Sequence, residues 1–409
     1  MPGRRTSHVT DISPKNTNTH AMSKSLTRLW IKSIRRLGKV QQAQGSKLLK
    51  SLILKPARTP ALPRVKAVKR ATPIKPVRVA PAKARKPAAS ALSPPRLAGL
   101  PGKWQKSFFV LPGAGAFVPA RRLLYWLYVP SGVAQAPRPL VVMLHGCQQT
   151  ASDFAASTRM NQLAERKGFA VLYPQQSLAS DSHRCWHWYK RATQQGLGDV
   201  ELVADLISQV QARHRFDASR TYVAGISAGA GLAAILGLRY PQLIAALGLH
   251  SAPVYGTSDS AMSGFKAMQQ GSSLAYRESA NHFFADQPKF PGMPVMLLHG
   301  RRDAVVRPVN ADQLAAQFVI VNSAFITSPV PVQRSYAARQ GGRNPRHGYQ
   351  TATYYAGRKP HLVKCEIDSL GHAWSGGDGE MSFSAPEGPD ATALMWTFFS
   401  RQKRLPLAL

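Results

Sequence analysis

From about residue 104 onward the chain alternates short apolar runs with stretches in which apolar residues return every third or fourth position. Residues 122–129 (RLLYWLYV), 139–144 (PLVVML) and 170–173 are apolar runs of strand length, and residues 159–167 read as a short helix closed by Gly168. Val203, Leu206, Ile207 and Val210 form an i, i+3, i+4, i+7 stripe, which predicts a helix of about four turns. Further strands are predicted at 221–224, 247–250, 294–299 and 362–367, and a last helix at 391–400. Strands that alternate with helices predict an α/β domain over residues 101–405, its mostly parallel, doubly wound sheet covered on both faces. Residues 256–290, rich in Ser, Gly, Gln and Ala, read as a loop or cap insertion, and residues 326–360 as an irregular surface hairpin.

The first hundred residues have another texture. They hold 23 Lys and Arg against one acid, Asp11, out of 54 basic and 19 acidic residues in the whole chain. Around residues 55–95, Pro, Ala, Lys, Arg and Val predominate without apolar periodicity, the composition of a solvated linker. Near 23–40, Leu26, Trp30, Ile31, Ile34 and Leu37 fall at helical spacing with Lys and Arg on the other faces, a basic amphipathic pattern suited to an anionic or apolar surface. A fraying tail without a partner is the equal alternative, since an isolated helix of this length is marginal in water. The basic arm holds no base-reading module, so sequence-specific nucleic-acid binding is not expected.

Composition narrows the classes further. At 409 residues and 44% hydrophobic content the chain can bury a sizeable core. Three cysteines, Cys147, Cys185 and Cys365, are too few for a disulfide scaffold and contain no CxxC pair. No apolar run approaches the roughly 20 residues of a membrane-spanning helix. The early Arg4 and Arg5 are not followed by the apolar stretch of a signal peptide.

The chemistry centres on residues 221–232, TYVAGISAGAGL. A strand runs into Gly225-Ile226-Ser227-Ala228-Gly229 and then into a small-residue helix that Pro241 stops, which is the layout of a strained turn holding a serine hydroxyl above the sheet edge. As a bare pentapeptide the pattern is weak, and a glycine-rich packing turn is its bland alternative; the strand before it and the helix after it add the weight. A serine needs a base within hydrogen-bond reach and a carboxylate to orient that base. Asp303 follows the strand at 294–299 and His372 follows the strand at 362–367, the chain order such a fold requires. Asp259 and Asp312 compete as carboxylates; His250, His299, His347 and His361 compete as bases, the first two at strand ends where a satisfied core histidine is the commoner outcome. The N–H groups of Ala228, beside the nucleophile, and Cys147, after the strand at 139–144, are the candidate oxyanion donors.

Together LHGCQQT (144–150), CWHWY (185–189), GISAG (225–229), LHGRRD (298–303) and GHAWSGG (371–377) resemble the catalytic domain of the poly(3-hydroxybutyrate) depolymerase family of esterases. The resemblance covers about residues 105–402 and implies an α/β-hydrolase fold and a serine esterase acting on poly- or oligo-(3-hydroxybutyrate) or related short-chain hydroxyalkanoate esters. Relatives imply feruloyl or acetylxylan esters as the alternative; a surface-binding protein acting through the basic arm is the rival from another class, and a peptidase the runner-up chemistry. It implies the triad Ser227, Asp303 and His372, the oxyanion role of Cys147, an extracellular location, and a bridge between Cys147 and Cys185. Trp186, Trp188 and Trp374 are candidates for the wall of the acyl pocket, with a plain core role equally open. No cofactor is implied, and no metal: His183-x-Cys185-x-His187 has no fourth partner in sight. Cys365, in the last strand, is expected to be a buried free thiol.

Overall fold

The computed structural model describes residues 99–113, 120–341 and 345–404. The basic segment and its amphipathic pattern near 23–40 lie outside the described residues. One ten-stranded sheet runs through the domain in the order β1-β2-β4-β3-β5-β6-β7-β10-β9-β8. The six strands at its middle are parallel: β4 (Ala170–Gln175), β3 (Leu140–Leu144), β5 (Thr221–Ile226), β6 (Ala246–His250), β7 (Val295–Gly300) and β10 (Lys359–Ile367). Antiparallel pairs close both flanks, β1 (Lys103–Leu111) with β2 (Arg121–Val129) and β9 (Tyr349–Ala356) with β8 (Val332–Tyr336).

Alternation along the parallel strands sends residues to two cores. Leu140, Val142, Leu144, Val223, Leu247 and Leu297 meet one helical layer, while Val141, Met143, Tyr222, Ala224, Met296 and Cys365 meet the other. The helices, in chain order, are α1 (Ala151–Thr158), α2 (Met160–Lys167), the single turn α3 (Arg191–Gln194), α4 (Asp199–His214), α5 (Ala228–Arg239), α6 (Ala261–Gln270), α7 (Ala275–Asp286), α8 (Val309–Val321) and α9 (Ala391–Phe399). Residues of α4 and α5 belong to the first core, and residues of α1, α2 and α9 to the second. The 16-residue α4 carries the predicted stripe, and α5 is buried at every residue but Arg239, as expected of a helix that is apolar or small on all faces. Among the described residues no helix is long and apolar enough to cross a membrane.

Two expectations require correction. Residues 256–290 contain two helices, α6 and α7, rather than a loop. Their apolar signal is sparse because α6 buries only Gly264, Ala267 and Met268, and α7 only Ala280 and Phe283. The segment 326–360 is a regular antiparallel pair in which β9 also joins β10. Its outer strand reads as irregular because four of its five residues are exposed. Cys365 is a buried free cysteine in β10, its thiol pushed up to about 12 by burial.

Candidate active site

The residues with candidate chemistry gather on loops at the carboxyl ends of β3, β5, β7 and β10. Ser227 stands between β5 and α5 with φ 56° and ψ −123°, outside the regions open to an unstrained L-residue. Its backbone N–H donates to His250 O at 3.0 Å, tying the turn to the end of β6. The flanking glycines are required by close approach. A Cβ at Gly225 would stand 2.6 Å from the carbonyl carbon of Gly229, and one at Gly229 would overlap the carbonyl oxygen of Leu144. The turn therefore packs backbone against backbone, and the serine is held by its surroundings rather than by its own preference.

Asp303 lies three residues past β7 and is 2% exposed. Its Oδ1 accepts the N–H groups of Val305 and Val306, both at 2.9 Å, and its Oδ2 faces His372 Nδ1 at 2.8 Å. Burial alone would raise this carboxyl; the charge and hydrogen bond of His372, helped by His299 and the Val306 N–H, outweigh it and lower the group to about 2. An ionised carboxylate accepts from the Nδ1–H of His372, so Nε2 is the nitrogen left to take a proton. Among the described residues no hydrogen bond links Ser227 Oγ to His372, a link that in unliganded sites often tightens only with substrate. The structure thus joins Asp303 to His372 directly and sets Ser227 on the turn after β5.

Of the competing histidines, His250, His299 and His361 are buried, and His347 is half-buried before β9, its backbone N–H on Gly388 O at 2.7 Å. His250 is fully buried, stacks on Trp374 with 5.2 Å between ring centres, and accepts the Ser375 N–H at Nε2. Burial, with the nearby His299, lowers it to about 3. His299 gives its Nε2–H to Val306 O at 2.7 Å, and His361, lowered to about 4 by burial, faces Asn322 at 3.1 Å. Asp259 sits at the start of α6, bonded to Ser263, and Asp312 pairs with Lys364. Neither carboxylate contacts a histidine in the manner of Asp303.

Ala228 is the first residue of α5, where a backbone N–H has no intrahelical acceptor. The Cys147 N–H likewise has no acceptor among the described residues, whereas its neighbours are committed: Gly146 donates to Gln149 Oε1 at 2.9 Å and Gln148 to His183 O at 2.6 Å. Gln148 takes φ 68°, which turns the chain sharply after Cys147. A disulfide joins Cys147 to Cys185. The Cys147 and Ala228 amides are thereby left without a protein acceptor among the described residues.

The tryptophans divide. Trp186 and Trp374 are 0% exposed, and their indole N–H groups donate to His145 O and Thr392 Oγ1, both at 3.1 Å. Both are packed as core residues, the core alternative of the expectation, with no solvent-exposed ring surface. Trp188, 5% exposed, packs against Gly231 of α5 and belongs to the first core. His183 and His187 do not converge with Cys185 on a cation site: His187 faces Asp199 at 3.0 Å, and Cys185 is in the disulfide.

Sequence reasoning passed over Asp199, Gln176 and His145. His145 is fully buried, with Nδ1 on Gly146 O at 2.8 Å and Nε2 accepting from Gln176 N at 3.1 Å; burial lowers it to about 4 and keeps it neutral. The adjoining Gly146 and the LHG run were its only sequence signal. Asp199 was hidden by its place at a helix start, where an acid is favourable without any further role.

A sheet of this order with a strained serine turn, an acid after a later strand and a histidine after the last parallel one defines an α/β-hydrolase. Residues 123–341 match the esterase PHB depolymerase family, and the chain belongs to that family. It is 32% identical over 195 residues to poly(3-hydroxyalkanoate) depolymerase C of Paucimonas lemoignei, a match covering 47% of this chain and 46% of that one. It is 28% identical over 263 residues to a probable acetylxylan esterase A of Neosartorya fischeri, covering 62% and 67%. The chain therefore spans about half of the first of these relatives and about two thirds of the second. Among solved structures, an acetyl xylan esterase from Aspergillus awamori shares the fold with a TM-score of 0.52 at 22% identity, over 65% of this chain and 94% of that one.

Proposed function

We propose that the protein is a serine carboxylic ester hydrolase whose triad is Ser227, His372 and Asp303. The hydrogen bond of His372 to the buried Asp303, beside a serine on a strained turn, is the observation that carries this reading. His372 Nε2 takes the Ser227 hydroxyl proton as Oγ attacks the ester carbonyl, and Asp303 holds the imidazole and stabilises its charge. The N–H groups of Cys147 and Ala228 receive the oxyanion. Collapse breaks the ester C–O bond, His372 returns the proton to the departing alcohol, and an acyl-serine remains. Water then adds by the same route and the acid leaves.

The substrates we propose are poly- or oligo-(3-hydroxybutyrate) and related short-chain hydroxyalkanoate esters, in keeping with family membership and the likeness to a poly(3-hydroxyalkanoate) depolymerase. An acetylxylan-type carbohydrate esterase is the second reading, favoured by the likeness to an acetylxylan esterase over two thirds of that relative. Hydrolysis of p-nitrophenyl acetate, butyrate and octanoate, a hydroxybutyrate trimer and acetylated xylan by the full chain tests both. Short esters and the trimer are expected to turn over, and Ser227→Ala to lower kcat by about 10³-fold or more. A Ser227→Ala protein with undiminished turnover would overturn the mechanism; preference for acetylated xylan over the trimer would select the second reading.

A further inference from the structure

The triad and the oxyanion amides leave one buried carboxylate at the site without a role. Asp199 opens α4, its side chain only 9% exposed. Its Oδ2 receives Gln176 Nε2 at 2.9 Å, the His187 backbone N–H at 3.0 Å and His187 Nδ1 at 3.0 Å, and the Arg121 guanidinium stands 3.8 Å from Oδ1. Because a carboxylate only accepts, the His187 proton sits on Nδ1. An acid at a helix start is ordinarily a solvated complement to the helix dipole. Here three donors from one foreign segment, residues 176–187, converge on it instead.

That segment in turn grips the loop carrying the Cys147 amide. Gln176 N–H donates to His145 Nε2 at 3.1 Å and Trp186 Nε1–H to His145 O at 3.1 Å. Cys185 is bonded covalently to Cys147, and His183 O accepts the Gln148 N–H at 2.6 Å. Asp181 stiffens the segment from within by accepting the N–H groups of His183 at 2.9 Å and Cys185 at 3.0 Å. These ties on the loop at 145, 147 and 148 lead to residues 176–186, and Asp199 anchors that segment by hydrogen bonds to the helical layer.

We infer that Asp199 is a positioning residue of the esterase site: by holding residues 176–187 it fixes the direction of the Cys147 N–H at the oxyanion. The inference rests on the esterase reading for its effect on rate, but the tie itself is a property of the fold. Oxyanion contacts form in the transition state, so loosening one lowers kcat and leaves KM nearly unchanged. Loss of a carboxylate that merely stabilised the fold would lower the melting temperature without changing kcat per folded molecule.

The test uses the full chain, with two readouts. Asp199→Asn, which puts an amide nitrogen among donors, is expected to lower kcat for p-nitrophenyl butyrate about tenfold with KM within about twofold. It is also expected to speed backbone amide exchange in peptides covering 144–149 while leaving those of β6 and β7 unchanged. His187→Asn, whose side-chain amide can replace the Nδ1–H donor, should keep most of the rate, and His187→Leu should lose it. Asp205→Asn, half-exposed on the same helix, should match the unaltered protein. Combining Asp199→Asn with Cys185→Ser, which removes the parallel covalent tie, should cost more than the product of the single losses. Unchanged exchange in 144–149, or a lower rate without it, overturns the inference. Should the unaltered protein hydrolyse no ester, the esterase reading fails and the exchange readout alone decides the tie. Should Asp199→Asn fail to fold, His187→Leu and Gln176→Leu are judged by the same two measurements.

Discussion

The six parallel strands at the middle of the sheet and the antiparallel pairs at its flanks are built from different sequence textures. β3, β5, β6 and β7 are buried at every residue, whereas β8 is exposed at four of five and β1 at every second position or more often. Crossover helices cover both faces of a parallel pair, so such a strand is apolar throughout; a hairpin needs no crossover and leaves a face or an edge to water. All the candidate chemistry lies on the first kind. Ser227, Asp303, His372 and the loop of Cys147 each follow a parallel strand, and none of them is on a flank. The division teaches that rigidity of the middle, enforced by burial on two sides, is what holds groups from four distant points of the chain in register, while the flanks cap the sheet.

The comparison can be broken at several points. The largest effect is expected at the end of β7: Asp303→Asn should lower kcat by about 10³- to 10⁴-fold in ester hydrolysis with the fold intact by circular dichroism. A loss of less than tenfold would show that the buried carboxylate serves stability instead. Next, Leu247→Ala, in a fully buried site on β6 against α5, should cost about 2–5 kcal/mol in urea unfolding.

Acid should then act through the middle as well. His145 and His250 titrate near 4 and 3 in the folded protein, below the ordinary 6.5, because burial disfavours their charged forms. The unfolded chain takes up protons that the native one refuses, so stability is full above about pH 6.5 and falls as the pH is lowered toward 3. Asp303, lowered to about 2, adds its own loss only below about pH 4. The urea midpoint should stay level from pH 8 to about pH 6.5 and then drop toward about pH 4; a profile flat throughout would mean that these imidazoles are not buried neutral. The smallest effect belongs to the flank. Val332→Ala on β8, where the valine is 47% exposed, should change stability by less than about 0.5 kcal/mol, and a loss comparable to that of Leu247→Ala would erase the contrast.

The same contrast decides what was legible from residues alone. Apolar runs announce the parallel strands because burial on both faces leaves no polar position to interrupt them; the Gly225 and Gly229 frame points to Ser227, and the place just past a later strand points to Asp303. β1 (KWQKSFFVL) and β8 (VQRSY) escape notice because edge exposure dilutes the period. Helices α6 and α7 bury too few residues for a stripe to stand out. Trp186 and Trp374 suggest a pocket wall by their nearness to the motifs, but an indole N–H finds a buried acceptor as readily as a ligand, and only coordinates distinguish the two. Asp199 is the extreme case, since its donors come from 12 and 23 residues away and a helix start explains an acid well enough without them.

His145 and His250 have both ring nitrogens engaged, and His299, the other imidazole facing Asp303 among the described residues, holds its Nε2 proton on the Val306 carbonyl. None of them can hand a proton on. On the esterase reading, the imidazolium formed at His372 is therefore the end of the line among the described residues, and the proton it gains returns outward, to whichever oxygen is leaving Ser227.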